Sequence, residues 1–287
     1  MGILCKTKGV VVAKVEGGLG NQLFIYATAR RLAIKNDVPL KLDIVSGYTK
    51  DGYGRSYRLD CFNIDAQVAS LDGSYLSSWG RQKRYLAKKI NRVLPFRFKT
   101  YIVEESPFDR RLLNLRVSKR VYLQGYWQDE RYFKDIESIL KKELTLIEPL
   151  DEKNRQWRKK IENTNAVCLH ARRNEYEHAL PAVYYKRAIE YLSRRINKPH
   201  FFCFSDNPNW IKKNIPFNFP FSVITHNNEC EYKDLMLMTR CKHYIIANST
   251  FSWWGAWLNP APDTIVIAPA YWGHPTGIPE SWRTIEC

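Results

Sequence analysis

From residue 166 onward the sequence alternates between short apolar runs and segments of helical period, and this alternation restricts the chain more than any other feature. Ala166 to His170 reads as a strand, Pro181 to Ile196 as a helix, Phe201 to Ser205 as a strand and Asn207 to Lys213 as a short helix. Ser222 to Ile224, His243 to Ala247 and Thr264 to Ala268 continue the strands, and Glu231 to Arg240 and Phe251 to Leu258 the helices between them. A hairpin needs two residues to join two strands, whereas a parallel crossover needs a helix-sized connection. A strand followed each time by a helix therefore implies a parallel sheet covered on both faces.

The first half begins in the same way. Val10 to Val15 is β-branched and reads as a buried strand, Gly17-Gly18-Leu19-Gly20 breaks it, and Asn21 to Lys35 places Leu23, Tyr26, Ala27 and Ile34 on one helical face. Val38 to Ile44 is a second strand, completing a βαβ unit. Residues 46 to 80 read as loop with short elements, Val121 to Gly125 as a strand and Tyr126 to Leu140 as a helix. Residues 143–164 are highly charged and run into the next strand, so the boundary is expected near residue 150, dividing the chain into 1–150 and 151–287. A chain of 287 residues can support two such domains.

The glycine turn invites comparison with nucleotide-binding fingerprints. Gly18 and Gly20 fit G-x-G-x-x-G, and Asp43 lies at a suitable distance for the ribose acid, but Leu23 stands where the third glycine belongs. No Gly-Lys-Ser/Thr follows, so the turn is not a P-loop. An NAD-type oxidoreductase is the reading that this unit alone would suggest.

Lys and Arg number 45 against 29 Asp and Glu, a formal charge of +16. A field of this sign attracts anions, including nucleic acid, acidic membrane and phosphorylated substrates, without choosing among them. No zinc finger, RNP sequence or KH loop is present, so nucleic acid is not the expected partner. Eight basic residues and no acid fall between 81 and 99, namely Arg81, Lys83, Arg84, Lys88, Lys89, Arg92, Arg97 and Lys99. Tyr85, Leu86, Ile90, Val93 and Leu94 interleave at helical spacing. The segment suits a solvated helix over the core or a basic helix touching anionic lipid.

Seven cysteines are scattered without a CxxC or a Cys/His cluster, which points to a reducing cytoplasm and no structural metal. Cys168 and Cys203 lie in apolar runs and read as small core residues. The N-terminus lacks an apolar secretory core, no window is apolar enough to span a bilayer, and Lys6 stands where myristoylation wants Ser or Thr.

In an open parallel sheet, ligands bind outside the carboxyl ends of the strands. Three polar clusters fall there: His170-Ala171-Arg172-Arg173, Ser205-Asp206 and Asn248-Ser249-Thr250. Arg172 offers a planar fork for phosphate oxygens. Ser249 and Thr250 open a helix, where hydroxyls, N–H groups and the dipole suit an anion. Asp206 is an acceptor of the kind guanine N1–H requires. Each also has a structural alternative: Asn248 or Ser249 as an N-cap, Asp206 as a cap and His170 as a core histidine.

The stretches GGLGNQLFIYATARRLA (17–33), LQGYWQDERYF (123–133), HARRNEY (170–176), FSDNPNW (204–210) and ANSTFSWWGAWLNP (247–260) resemble glycosyltransferase family 11, the α-1,2-fucosyltransferases. The likeness runs from about residue 10 to about 270, with the motifs in the family's order. It implies a GT-B-like α/β fold, two Rossmann-type domains facing a cleft, with the acceptor on the N-terminal side and the C-terminal domain holding a GDP-sugar. It implies metal-independent, inverting transfer of L-fucose from GDP-L-fucose to the 2-hydroxyl of a galactoside, with no cofactor besides the donor. A galactose-terminated oligosaccharide or glycolipid would be the acceptor, and the setting lipopolysaccharide or oligosaccharide biosynthesis. The enzyme would be cytoplasmic, with peripheral contact at the inner membrane face through residues 81–99.

Arg172 is the leading catalytic candidate, because a departing diphosphate needs a cation beside it, and Glu175 is the candidate base on a path that could also proceed with little base help. By the resemblance His170, Arg173, Asp206, Asn248, Ser249, Thr250 and Phe251 would bind donor, and Gly18, Gly20, Asn21 and Gln22 would form the loop at the cleft. The family usually has Gly-Asp-Tyr after the two arginines, and here the residues are Asn174-Glu175-Tyr176. The donor could accordingly be another GDP- or dTDP-linked 6-deoxysugar.

Overall fold

The structure, a computed structural model, describes residues 9–49, 51–70, 78–174, 178–227, 229–259, 261–272 and 277–287. In residues 78–92 the side chains at 78, 79, 81, 83, 84 and 92 lie outside the description. The chain divides into two compact units, 1–147 and 148–287.

The first unit holds β1 (Val10–Lys14), α1 (Leu19–Asn36), β2 (Leu40–Asp43), β3 (Gln67–Val68), α2 (Ser78–Val93), β4 (Tyr101–Val103), α3 (Arg110–Leu113), β5 (Arg120–Gln124) and α4 (Glu137–Glu143). Its five strands are parallel in the order β3-β2-β1-β5-β4. Val11, Val12 and Ala13 of the central strand are fully buried, as expected of a strand covered on both faces. The winding reverses between β1 and β5. The glycine turn after β1 and the segment after β5 therefore lie side by side at the carboxyl edge.

The second unit holds α5 (Glu152–Glu162), β6 (Asn165–Ala171), α6 (Ala182–Ser193), β7 (Pro199–Ser205), α7 (Pro208–Asn214), β8 (Phe221–Ile224), α8 (Glu231–Met238), β9 (His243–Ile245), α9 (Thr250–Trp257), β10 (Val266–Pro269) and β11 (Arg283–Ile285). The sheet is parallel throughout, in the order β11-β10-β9-β6-β7-β8. Counted from β6 as the first strand, this is the Rossmann order 3-2-1-4-5-6 read from the β8 edge. Val167, Leu169, Phe201 and Ile245 pack with Tyr184, Tyr185 and Leu192 of α6 on one face. Cys168 and Cys203 are buried among the strands, and burial pushes both thiols up, in keeping with inert core residues.

One expectation requires correction. Tyr126 to Leu140 is not one helix. Gly125 has φ 153° and Trp127 φ 56°, and the Glu104 carboxylate accepts from the amides of Tyr126 (2.7 Å) and Trp127 (2.9 Å). The chain is held in a turn there, continues through 3-10 turns at Glu130–Tyr132 and Lys134–Ile136, and becomes α-helical only in α4. Gly125 is obligatory, since a Cβ would lie 2.3 Å from Glu104 Cβ. The charged stretch before β6 contains α5, capped by the Asp151 carboxylate on the Asn154 amide at 2.9 Å. Among the described residues no helix is long and apolar enough to cross a membrane.

Candidate functional site

The three polar clusters of the second unit follow β7, β6 and β9, which are adjacent strands in the sheet. Ala171 pairs with Ser205 and Leu169 with Ile245, so the clusters leave the sheet at nearly one level. The winding reverses between β6 and β9, and this is where a Rossmann sheet opens a crevice for ligand.

Asp206 organises the loop that leaves β6. Its Oδ1 accepts from the Arg173 amide at 2.8 Å, and its Oδ2 from the Asn174 amide at 3.1 Å. Asn174 Nδ2 returns to the Asp206 carbonyl at 2.7 Å, and Ser205 Oγ donates to the Ala171 carbonyl at 2.7 Å. Both carboxylate oxygens are thus engaged within the unit. Asn174, where the resembled family has glycine, contributes a side-chain bond that glycine lacks.

The two arginines differ in what they touch. Arg173 stacks its guanidinium 3.9 Å over the Trp210 ring and donates from Nη1 to the Leu180 carbonyl at 2.6 Å. It ties the loop to α7 and to the approach to α6. Arg172 Nη1 lies 3.1 Å from Asp206 Oδ2, and its side chain is 42% exposed. It is therefore positioned and still accessible to an anion. Glu175 lies outside the described residues.

His170 is buried, and its Nδ1 has no hydrogen-bond partner among the described residues. Burial first, and the Arg172 charge second, lower its pKa to about 3, so the ring is neutral. It packs 5.6 Å from Phe251 in the first turn of α9, which joins the end of β6 to that helix. Asn248, also buried, donates from Nδ2 to the His178 carbonyl at 2.8 Å. Asp206 and Asn248 thus hold the β6–α6 loop near its two ends.

Ser249 occupies the N-cap of α9 with extended backbone, but its side chain makes no capping hydrogen bond. Ser249, Thr250 and Phe251 are partly exposed, at the helix end where the backbone N–H groups point outward. The rest of α9 is anchored. Trp253 and Trp254 are fully buried and Trp257 nearly so, and Gly255 lets α9 approach Met238 of α8. The tryptophans of this motif are core, and Ser249 to Phe251 are partly exposed. A guanidinium and an accessible helix N-terminus at one strand edge form an anion site suited to a diphosphate.

In the first unit Gly18 is the N-cap of α1 and Gly20 lies in its first turn. A Cβ on Gly18 would meet nothing within 4 Å, so the turn faces open space. Gln22 is fully buried. It donates to the carbonyls of Gly17 (2.9 Å) and Ser56 (2.8 Å) and accepts from the Arg58 amide at 2.9 Å. It can act on a ligand only by holding the turn. Asn21 Oδ1 accepts from Gln128 Nε2 at 3.0 Å, which joins the glycine turn to the segment after β5. Sequence reasoning missed Trp210 as the seat of Arg173, and it missed Glu104 and Gln128. All three act through partners distant in sequence. Among the described residues no group of three or more His, Cys, Asp or Glu is placed to hold a metal ion.

Comparison with known proteins adds to this geometry. The family described as Glycosyl transferase family 11 matches residues 10–276. An alpha-1,2-colitosyltransferase of Escherichia coli is 33% identical over 96% of the chain and 99% of its own length. Galactoside alpha-(1,2)-fucosyltransferase 2 of mouse is 23% identical over 92% of the chain and 72% of its own length. Among solved structures, the NodZ alpha-1,6-fucosyltransferase co-crystallized with GDP superposes with a TM-score of 0.52. It is 12% identical, covers 93% of this chain and 97% of its own, and shares the GT-B-like fold.

Proposed function

Because the chain belongs to glycosyl transferase family 11 and is therefore a glycosyltransferase, we propose that it moves L-fucose from GDP-L-fucose to the 2-hydroxyl of a galactoside, inverting the anomeric centre without a metal ion. The observation that carries this reading is the accessible Arg172, fixed by Asp206, on the strand next to the one that leads to α9. In this reading residues 151–287 take the donor and residues 1–150 the acceptor.

An acceptor hydroxyl attacks the anomeric carbon in line with the departing diphosphate. The new C–O bond forms as the bond to the β-phosphate oxygen breaks, and negative charge grows on the phosphate. The acceptor proton leaves to a base, for which Glu175 is the candidate. Arg172 and the N–H groups of α9 meet the growing charge, assisted by the hydroxyls of Ser249 and Thr250. Each contact that strengthens in the transition state is worth roughly 2.7–4 kcal/mol of barrier. Arg173, Asn248 and His170 contribute by holding the loop and the helix start in place.

A second reading follows from the colitosyltransferase relative and from Asn174-Glu175, which replace the family's usual Gly-Asp. In this reading the donor is a different GDP-linked 6-deoxyhexose, with the phosphate site unchanged. The two are separated by incubating the protein with GDP-fucose or GDP-colitose and a panel of galactosides, with and without EDTA. Transfer from GDP-fucose that persists in EDTA and yields an α-1,2 linkage supports the first reading. Transfer from GDP-colitose alone supports the second. Transfer from neither donor, or a requirement for divalent metal, overturns the proposal.

A further inference from the structure

The helix α2 carries its apolar side chains on the wrong side for a core helix. Leu86, Ile90 and Val93, spaced i, i+4 and i+7, form one stripe and are 55%, 52% and 83% exposed. The inward face is a different one. Ala87 packs against the cluster of Val12, Tyr101 and Tyr122, and Asn91 is buried, with its Oδ1 accepting from the Thr100 amide at 3.1 Å. At 100° per residue the two faces lie roughly 110° apart. Phe98, in the 3-10 turn after the helix, is also exposed.

The charges within the segment that carries the stripe are all of one sign. From Gly73 to Val103 the sequence has no Asp or Glu. Lys89 is exposed on α2 and Arg97 on the turn after it, and Lys89 lies 4.8 Å over the Tyr85 ring, whereas Lys88 lies 5.5 Å from the ring of the buried Tyr101, on the face away from the stripe. The side chains of Arg81, Lys83, Arg84 and Arg92 lie outside the described residues.

We propose that α2 and the turn after it form a peripheral docking surface for an anionic lipid bilayer. The stripe Leu86, Ile90 and Val93 enters the headgroup boundary, and Lys89 and Arg97 engage lipid phosphates. Charge complementarity selects this occupant. A second copy of the chain would bring the same cationic rim against itself, and a nucleic acid would leave the Leu, Ile and Val stripe without a role. The surface shares no residue with the cluster around Arg172 and does not depend on the donor reading.

The test is co-sedimentation of the full chain with vesicles of phosphatidylcholine alone, or of phosphatidylcholine with phosphatidylglycerol. Binding is expected on the anionic vesicles only and falls as salt is raised. A variant with Lys89→Gln and Arg97→Gln loses roughly twenty-five-fold in partitioning, at roughly fivefold per basic residue. A variant with Leu86→Ser, Ile90→Ser and Val93→Ser also loses binding, roughly tenfold or more, with an unchanged circular dichroism spectrum because the stripe is exposed. If the serine variant does not fold, the glutamine variant and the vesicle comparison decide. Wild-type protein that stays in the supernatant with anionic vesicles overturns the proposal. So do folded variants that sediment like wild type. A concentration-dependent dimer abolished by the serine variant assigns the face to a second copy, and retention on mixed-sequence RNA without vesicle binding assigns it to nucleic acid. Either result overturns the lipid proposal.

Discussion

Arg172 Nη1 sits 3.1 Å from Asp206 Oδ2, and the same carboxylate accepts from the amides of the next two residues, Arg173 and Asn174. One side chain at the end of β7 thereby sets both the path of the loop after β6 and the direction of its accessible guanidinium. Asp206→Asn keeps the shape but leaves one of these donors without an acceptor. Loss of roughly 1–3 kcal/mol of stability is expected, with a fall in kcat/KM larger than thermal destabilisation alone accounts for. Melting curves and transfer kinetics on the same preparation check this. A variant that melts lower yet transfers at the wild-type rate would show that Asp206 has no part in presenting Arg172.

Arg172→Lys is expected to be nearly as damaging to transfer as Arg172→Ala. Lysine retains the positive charge but not the planar fork that can meet Asp206 and a phosphate together. Steady-state rates with saturating donor measure the difference. Substantial activity in the lysine variant would reduce Arg172 to a general positive charge.

Ser249→Ala separates capping from ligand binding. A serine cap replaced by alanine ordinarily costs about 1 kcal/mol. Here the hydroxyl makes no capping bond, so the melting temperature should change little. The stabilisation by GDP should weaken: a ligand at a hundred times its Kd adds about 2.7 kcal/mol to native wild-type protein. Thermal shift with GDP, UDP and NAD reads both effects. An undiminished GDP shift in the variant removes Ser249 from the donor site, and a shift with NAD but not GDP removes the donor assignment itself.

His170 sets a pH dependence of known sign. Its folded pKa is about 3, below the ordinary value of 6.5. Between these values the unfolded chain binds the proton and the folded chain does not, so this group lowers stability as pH falls from 6.5 toward 3. His170→Gln removes that contribution. Denaturant midpoints of wild type and variant should therefore draw together on acidification through this window, or cross, after subtraction of any offset at neutral pH. A constant difference between pH 7 and pH 4 would mean that the ring titrates normally.

Much of the second unit was legible in the sequence because its strands are apolar runs bounded by turn residues. Five of its six strands and four of its five helices fall where periodicity places them. The three clusters were legible as strand ends, since polar residues directly after Leu169, Phe204 and Ala247 have no other place to go. Their adjacency was not. It depends on the order β7-β6-β9, and strand order is decided by packing between segments far apart in sequence. The different surroundings of Arg172 and Arg173 were hidden for the same reason: Asp206 and Trp210 lie more than thirty residues away from them. β11 and β4 escaped notice because their three residues lack the apolar extension that carries the run of β9 on to Ala247. Residues 126–140 carried a helical pattern that lost to the positive φ of Gly125 and Trp127, held by the Glu104 carboxylate.

The indoles of α9 also give the protein a native optical signature. Trp253 lies 5.2 Å from Trp254 and 5.9 Å from Trp257, and Trp254 lies 5.1 Å from Trp257, all on the helix whose first turn is offered to ligand. Chromophores this close share their excited states, so the folded second unit should give a strong near-ultraviolet circular dichroism couplet. Seven of the nine tryptophans, from Trp157 to Trp282, belong to that unit. Its unfolding can therefore be followed by emission wavelength almost independently of the first unit, and the nucleotide binding proposed for Ser249 and Thr250 can be tested without any label.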